Sequence, residues 1–202
     1  MRLVDARTAL LGRLFDHAPM FPPASMALPD ALAEDERAQA SPDAWLLGRF
    51  VVPEGTEVEG RELAIVGGGR ERQGDVTYVE GVSKIRCGGA SIPSVEELAG
   101  FIRGCRAQEI VFKATAGLHH AYPPETGEHG FLNLLAAAVF GDEEAALRAP
   151  HGSFELDADS FRWGDRAVGA EELSDVRNVL FHSIGSCSFF EPVGELHELG
   201  IL

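Results

Sequence analysis

Lysine is almost missing from this chain. Of its seventeen basic residues, fifteen are arginine and only Lys84 and Lys113 are lysine. Cysteine is scarce too. Cys87, Cys105 and Cys187 form no CxxC pair and no even set, which sets aside a disulfide framework and a thiolate metal site. No apolar run approaches the ~18 residues that cross a bilayer. The opening stretch MRLVDARTALLGRLFD is broken by Asp5, Arg7 and Arg13, unlike the apolar core of a secretory leader. Positive charge is in deficit, at a formal net charge of −15. Nucleic acid binding needs a clustered cationic surface, and an anionic membrane would repel this chain, so neither is expected as a partner. A cytoplasmic protein is the expectation. The order GxGxxG is absent, since ELAIV runs into GGGRERQG, which argues against hydride transfer on a dinucleotide. No GxxxxGK[ST] loop occurs either.

What is present has an ordinary globular balance, 45% apolar and 24% charged. With no repeat, a single α/β domain over residues 1–202 is expected. Residues 3–14 have helical spacing. FDHAPMFPPAS interrupts the chain with three prolines in five residues, and Pro29 then opens a charged helix, PDALAEDERAQA. WLLGRFVVP, ELAIVGG, VTYVEG and VSKIRCGG read as strands, the last two close enough to share one. SIPSVEELAGFIRGC reads as a helix with Ser94 and Glu97 in a capping box. EIVFKATAG is the clearest strand. HGFLNLLAAAVFGDEEAALRA follows as a helix broken near Gly141, SFELDADSFRWGDRAV as a hairpin turning near Asp157–Ser160, and GAEELSDVR as a short helix. NVLFHSIGSCSF is a last strand opening into a Gly/Ser turn, before the EPVGELHELGIL tail. Alternating strands and helices imply a parallel sheet, and continuous apolar strands imply cover on both faces. The expected fold is a reduced or irregular (β/α) TIM-like barrel, with an open doubly wound parallel sheet as the alternative. Several early strands leave no room for a helix between them.

Each lysine precedes a turn of small residues, K-I-R-C-G-G and K-A-T-A-G. Arginine can hold surface charge, but only lysine can lose its proton and act as a base or a Schiff-base amine. If both strands end at one face, the two ammonium groups share a cleft that attracts a carboxylate or phosphate. Period-2 alternation puts Lys84 and Arg86 on one strand face. His119 and His120 follow in a loop at a strand end, where proton transfer is at home. His129 and Asn133 lie one helical turn apart and could polarise a carbonyl. Gly185, Ser186 and Ser188 could form an anion nest in the last turn. Asp16 and His17 join if their proline-rich loop reaches the same face. Cys187 becomes a candidate nucleophile if it lies near His119 or His129. No cofactor is expected. A metal would need three converging ligands from these histidines and Asp16, and no HExxH or CxxC spacing supports one.

VFKATAGL resembles, over about six residues, the Schiff-base strand of the deoxyribose-phosphate aldolases, where lysine precedes a run of Thr, Ser and Gly. LFDHAPMFPPAS, FKATAGLHH, HGFLN and GSCSFFEPV together resemble a family of uncharacterised bacterial proteins. That second likeness spans residues 14 to 193 and implies a stand-alone bacterial cytoplasmic protein, with no catalytic role carried onto any residue.

Three functions follow. The first is a lyase or isomerase acting on a small anionic metabolite. Lys84, Arg86 and the 185–188 turn would hold the anion, Lys113 would supply the amine, and the histidines would move protons. The second is a histidine-based metal-dependent hydrolase. The third is a non-catalytic metabolite-binding or partner-binding domain, with the acidic helix 29–40 as its surface.

Overall fold

A computed structural model gives the architecture and describes residues 5–67, 70–73, 76–78, 82–89 and 92–202. The N-terminal helix α1 (Ala6–Leu11) is capped by the Asp5 carboxylate, which accepts from the Thr8 N–H. Strand β1 (Phe15–His17) leads through the proline-rich loop to helix α2 (Leu28–Gln39). Strands β2 (Leu47–Pro53), β3 (Leu63–Gly67), β4 (Arg70–Gln73), β5 (Val76–Tyr78) and β6 (Val82–Arg86) follow. Helix α3 (Val95–Ala107) opens with the expected Ser94–Glu97 capping box and leads to strand β7 (Val111–Thr115). Helix α4 (Phe131–Phe140) stops at Gly141, which takes the left-handed conformation at φ 72°, and helix α5 (Glu143–Leu147) resumes. A three-stranded antiparallel sheet, β8 (Phe154–Leu156), β9 (Ser160–Trp163) and β10 (Arg166–Gly169), extends the expected hairpin by a strand. Helix α6 (Ala170–Val179), strand β11 (Phe181–Ser186) and helix α7 (Phe190–Glu198) close the chain.

The main sheet runs in the order β5-β4-β3-β2-β1-β11-β7-β6. The run from β3 to β6 is parallel throughout, six strands, while β4 and β5 fold back antiparallel at one edge. Six strands at about 4.8 Å spacing would place β3 about 24 Å from β6 if the sheet were flat. Yet Val66 of β3 and Lys84 and Arg86 of β6 line the same cleft. The parallel run is therefore curled into a half-barrel.

Two expectations are corrected. VTYVEG and VSKIRCGG do not share a strand. Val76–Tyr78 forms β5 and Val82–Arg86 forms β6, at opposite ends of the sheet order, while residues 79–81 lie outside the described residues. The FDH triplet, read as a chain break, is the central strand β1, paired with β2 on one side and β11 on the other. The EPVGELHELGIL tail, given no element in the sequence, forms helix α7. Strand β1 escapes periodicity because it is short and flanked by proline, and its pairing comes entirely from neighbours distant in sequence.

The strands alternate rather than burying both faces in apolar contacts. Phe15, Phe112, Ala114, Phe181 and Ile184 point outward into the large core shared with the helices, and Phe50 and Val52 point into a smaller cluster under α2. Asp16, Arg49 and Lys113 take the other parity and turn to the concave side, and the register shift in β11 between Phe181 and Ile184 brings Ser183 there too. Charge collects on that inner face because the outer one supplies the core.

Candidate functional site

Lys84 and Lys113 are direct cross-strand partners, as are Arg86 and Thr115, and Thr115 pairs onward with Gly185. Residues opposite one another in adjacent strands have Cβ atoms about 5 Å apart. The two lysines and Arg86 therefore form one cationic row. They line a cleft of about 270 Å³ with Thr115, Gly185, His119 and Cys187, walled on the far side by Ala18, Phe21, Pro22, Val51 and Val66. Most of these residues lie at or just beyond the C-terminal ends of parallel strands, where sheets of this kind place ligands. Lys84 and Arg86 are exposed, whereas Lys113 is only 2% exposed.

Asp16 is the floor. Its Oδ2 accepts from Lys113 Nζ at 2.6 Å, from Ser183 Oγ at 2.9 Å and from Arg49 Nη2 at 3.0 Å, while Oδ1 accepts from the Arg49 backbone N–H at 2.8 Å. Gly48 makes this possible, since a Cβ there would stand 2.3 Å from Asp16 Oδ1. Burial pushes the Asp16 carboxyl up. Lys113 and Arg49 outweigh it and hold the group well below the usual carboxylate range. Asp35 is also lowered: burial opposes ionisation, and hydrogen bonds from His17 and Arg61 overcome it. His182, near Arg49 Nη2 at 3.1 Å, is shifted down by burial and then by Arg49.

These three shifts act in one direction. Each folded-state pKa lies below its unfolded value, so the unfolded chain binds more protons as pH falls. Stability is expected to drop as pH falls through about 6.5, where the unfolded His182 protonates. It should drop more steeply below about 4, where the unfolded aspartates do. Urea denaturation at pH 7.5, 5.5, 4 and 3 measures this, and a profile flat down to pH 3 would contradict the ion pairing of Asp16 and Asp35.

The loop after β7 is strained. Ala116, Gly117 and Leu118 all lie in the left-handed region, at φ 59°, 67° and 69°. Only the glycine does so without steric cost. A Cβ at Gly117 would lie 2.6 Å from the Cys87 carbonyl oxygen, and one at Gly88 would lie 2.6 Å from Gly117 Cα. This close backbone crossing turns the chain so that His119 reaches the cleft. His119 Nδ1 is 2.8 Å from Glu191 Oε2, and its Nε2 is 3.6 Å from Cys187 Sγ.

The other expected site residues fall elsewhere. His120 pairs with Glu195, whose second oxygen accepts from the Ala121 N–H. His129 is buried against the Pro93 carbonyl at 2.8 Å, and Asn133 donates to the Ala146 and Ala149 carbonyls. Neither lines the cleft, so the carbonyl-polarising role expected of this pair has no position to act from. His17 is buried on the outer face of β1 with Asp35 at 3.0 Å, so it parts from Asp16 although the two are adjacent. Ser186 Oγ donates to the Ser188 carbonyl at 2.7 Å, and Ser188 Oγ accepts from the Glu191 N–H. Those hydroxyls build the turn, and of the expected nest only Gly185 borders the cleft. Helix α2 spends Glu34 and Asp35 on buried contacts with His17 and Arg61, which removes two acids from its expected partner surface.

Arg49, Ser183 and Thr115 escaped the sequence reading. Arg49 carried the same signal as the lysines, a cation inside the apolar run LLGRFVVP, but arginine is too common here to stand out. Among the described residues no three or more His, Cys, Asp or Glu side chains gather as a metal-holding group, and no helix is long and apolar enough to cross a membrane. Comparison with protein-family models, with curated proteins and with solved structures returned no match.

Proposed function

We propose that this cleft binds a small anionic metabolite, a carboxylate or phosphate, and that the chain is an enzyme of the lyase or isomerase type. The observation that carries the reading is the placement of Lys84, Arg86 and Lys113 along one cleft at the C-terminal end of a parallel sheet. Lys84 and Arg86, exposed at the mouth, hold the anion. Lys113, deeper and oriented by Asp16, supplies the amine for Schiff-base formation or proton transfer next to a carbonyl. His119 is the one expected histidine on the cleft wall and moves protons there. The half-barrel, in this reading, is a reduced form of the (β/α) barrel, which also places its chemistry at the strand C-termini.

A second reading has its own observation. Lys113 Nζ is held by a buried carboxylate at 2.6 Å, as in a structural ion pair, which suits a binding domain with no amine chemistry. Borohydride reduction separates the two. The chain is incubated with pyruvate or with glyceraldehyde 3-phosphate, reduced, and mapped by peptide mass spectrometry. With two lysines and one terminal amine, every adduct is assignable. An adduct on the Lys113 peptide, absent in Lys113→Met, is the expected result. No adduct on Lys113 with either probe would end the Schiff-base assignment and favour the binding domain.

A further inference from the structure

The cleft holds a second reactive group that the lysine chemistry does not use. Cys187 follows β11 and borders the same cavity as Lys84, Arg86 and Lys113. Of the three cysteines, Cys87 and Cys105 are buried, whereas Cys187 is only partly covered. Its sulfur lies 3.6 Å from His119 Nε2, and His119 Nδ1 lies 2.8 Å from Glu191 Oε2. If the Nδ1–H donates to Glu191, the Nε2 lone pair faces the thiol. Thiol, imidazole and carboxylate thus stand in the order of an activated nucleophile, its base and the group that orients the base.

We propose that Cys187 is a nucleophilic thiol, with His119 as its base and Glu191 as the orienting residue, that attacks an electrophile whose anionic group is held by Lys84 and Arg86. The electrophile class is an ester or thioester carrying a carboxylate or phosphate. His119 Nε2 takes the Sγ proton as the S–C bond forms. The departing alkoxide or thiolate leaves with the electron pair of the broken bond and takes that proton from the imidazolium. Water then cleaves the acyl-cysteine, giving the free acid and restoring the thiol.

The surroundings explain why a base is needed. Burial and the nearby Glu191 and Glu34 carboxylates push the Cys187 thiol up, and hydrogen bonding from the Ala24 and Cys187 backbone offsets this in part. The resting group is a thiol, and the thiolate must be formed next to an acceptor. The Ala24 and Cys187 N–H groups then stabilise it. The inference rests on the anion-binding reading only for Lys84 and Arg86. The thiol, imidazole and carboxylate stand independently of Lys113.

Alkylation at pH 7.5, mapped by peptide mass spectrometry, tests it with two probes of one shape, neutral iodoacetamide and anionic iodoacetate. Cys187 should be modified at least tenfold faster than Cys87 or Cys105. His119→Ala should slow modification of Cys187 by tenfold or more, and His119→Gln gives the same comparison should the alanine variant not fold. Glu191→Ala should slow it several-fold, while Glu191→Gln, which still accepts from Nδ1–H, keeps most of the rate. The ratio of iodoacetate to iodoacetamide rates should fall at least fivefold in Lys84→Met/Arg86→Met. An unchanged Cys187 rate in both His119 variants would overturn the proposal, and an unchanged probe ratio would overturn its anionic electrophile. Borohydride trapping on Lys113 reads the amine chemistry and alkylation of Cys187 reads the thiol chemistry, so failure of one and failure of the other are told apart.

Discussion

Replacing Asp16 with asparagine is expected to lower stability by about 3–5 kcal/mol, the usual cost of leaving a buried charge without its partner. Asp16 is 1% exposed and accepts from Lys113, Arg49 and Ser183 at once. Its removal takes a shared carboxylate from two buried cations. The pair itself is a different matter from its disruption. A buried ion pair exchanged for matched neutral groups is often close to neutral, because both desolvation costs vanish together. Asp16→Asn/Lys113→Met should therefore lose less than the sum of the single variants, with a coupling of about 1–3 kcal/mol. Urea denaturation at pH 7.5 gives all four corners of the cycle. Additive losses would mean that Asp16 and Lys113 do not share a site. The acid sensitivity expected of the parent protein should be flatter in Asp16→Asn, since one depressed carboxylate is gone.

Gly117→Ala carries the second large effect, about 2–6 kcal/mol, from two independent causes. One is the left-handed backbone at φ 67°, which costs a residue with a Cβ about 1–3 kcal/mol. The other is overlap, since the new methyl would sit 2.6 Å from the Cys87 carbonyl oxygen and 2.9 Å from Gly88 Cα, both backbone atoms that cannot swing aside. Overpacking of that kind costs about another 1–3 kcal/mol. The comparison is Gly127→Ala. It shares a left-handed φ of 87° but meets nothing within 4 Å, so it should show the conformational cost alone. Equal losses at the two positions would show that the β6–β7 crossing is looser than described. A larger loss at Gly117 would show that the crossing is held tightly where it aims His119.

Much of the fold was legible wherever a local signal sufficed. The Ser94–Glu97 box, the break at Gly141 and the hairpin through Asp157 are decided within a few residues, and each formed as expected. The parity of Lys84 and Arg86 was legible too, because strand alternation is a local rule. What stayed hidden depends on pairing between distant segments. Strand β1 has no apolar pattern long enough to announce it, and its place between β2 and β11 is decided by residues far along the chain. With β1 unseen, Asp16 could not be matched to Lys113, 97 positions away. His129 and Asn133 show the converse. Histidine and asparagine one turn apart suggested chemistry, yet burial turned both to donate to backbone carbonyls. A polar side chain on an apolar helix serves a backbone carbonyl more often than it serves a substrate.

The central claim is that the concave face holds a small anion between Lys84, Arg86 and Lys113. Calorimetric titration with inorganic phosphate and with pyruvate, at low ionic strength, tests it most directly. Saturable binding of at least one probe is predicted, weakened at least tenfold in Lys84→Met/Arg86→Met. Gly185→Ala should weaken it too, because the added Cβ would lie at an ordinary 3.6 Å from Lys113 Cε and Thr115 Cγ2 and take space from the cleft without a clash. Absence of binding, or binding that neither variant weakens, would contradict the account.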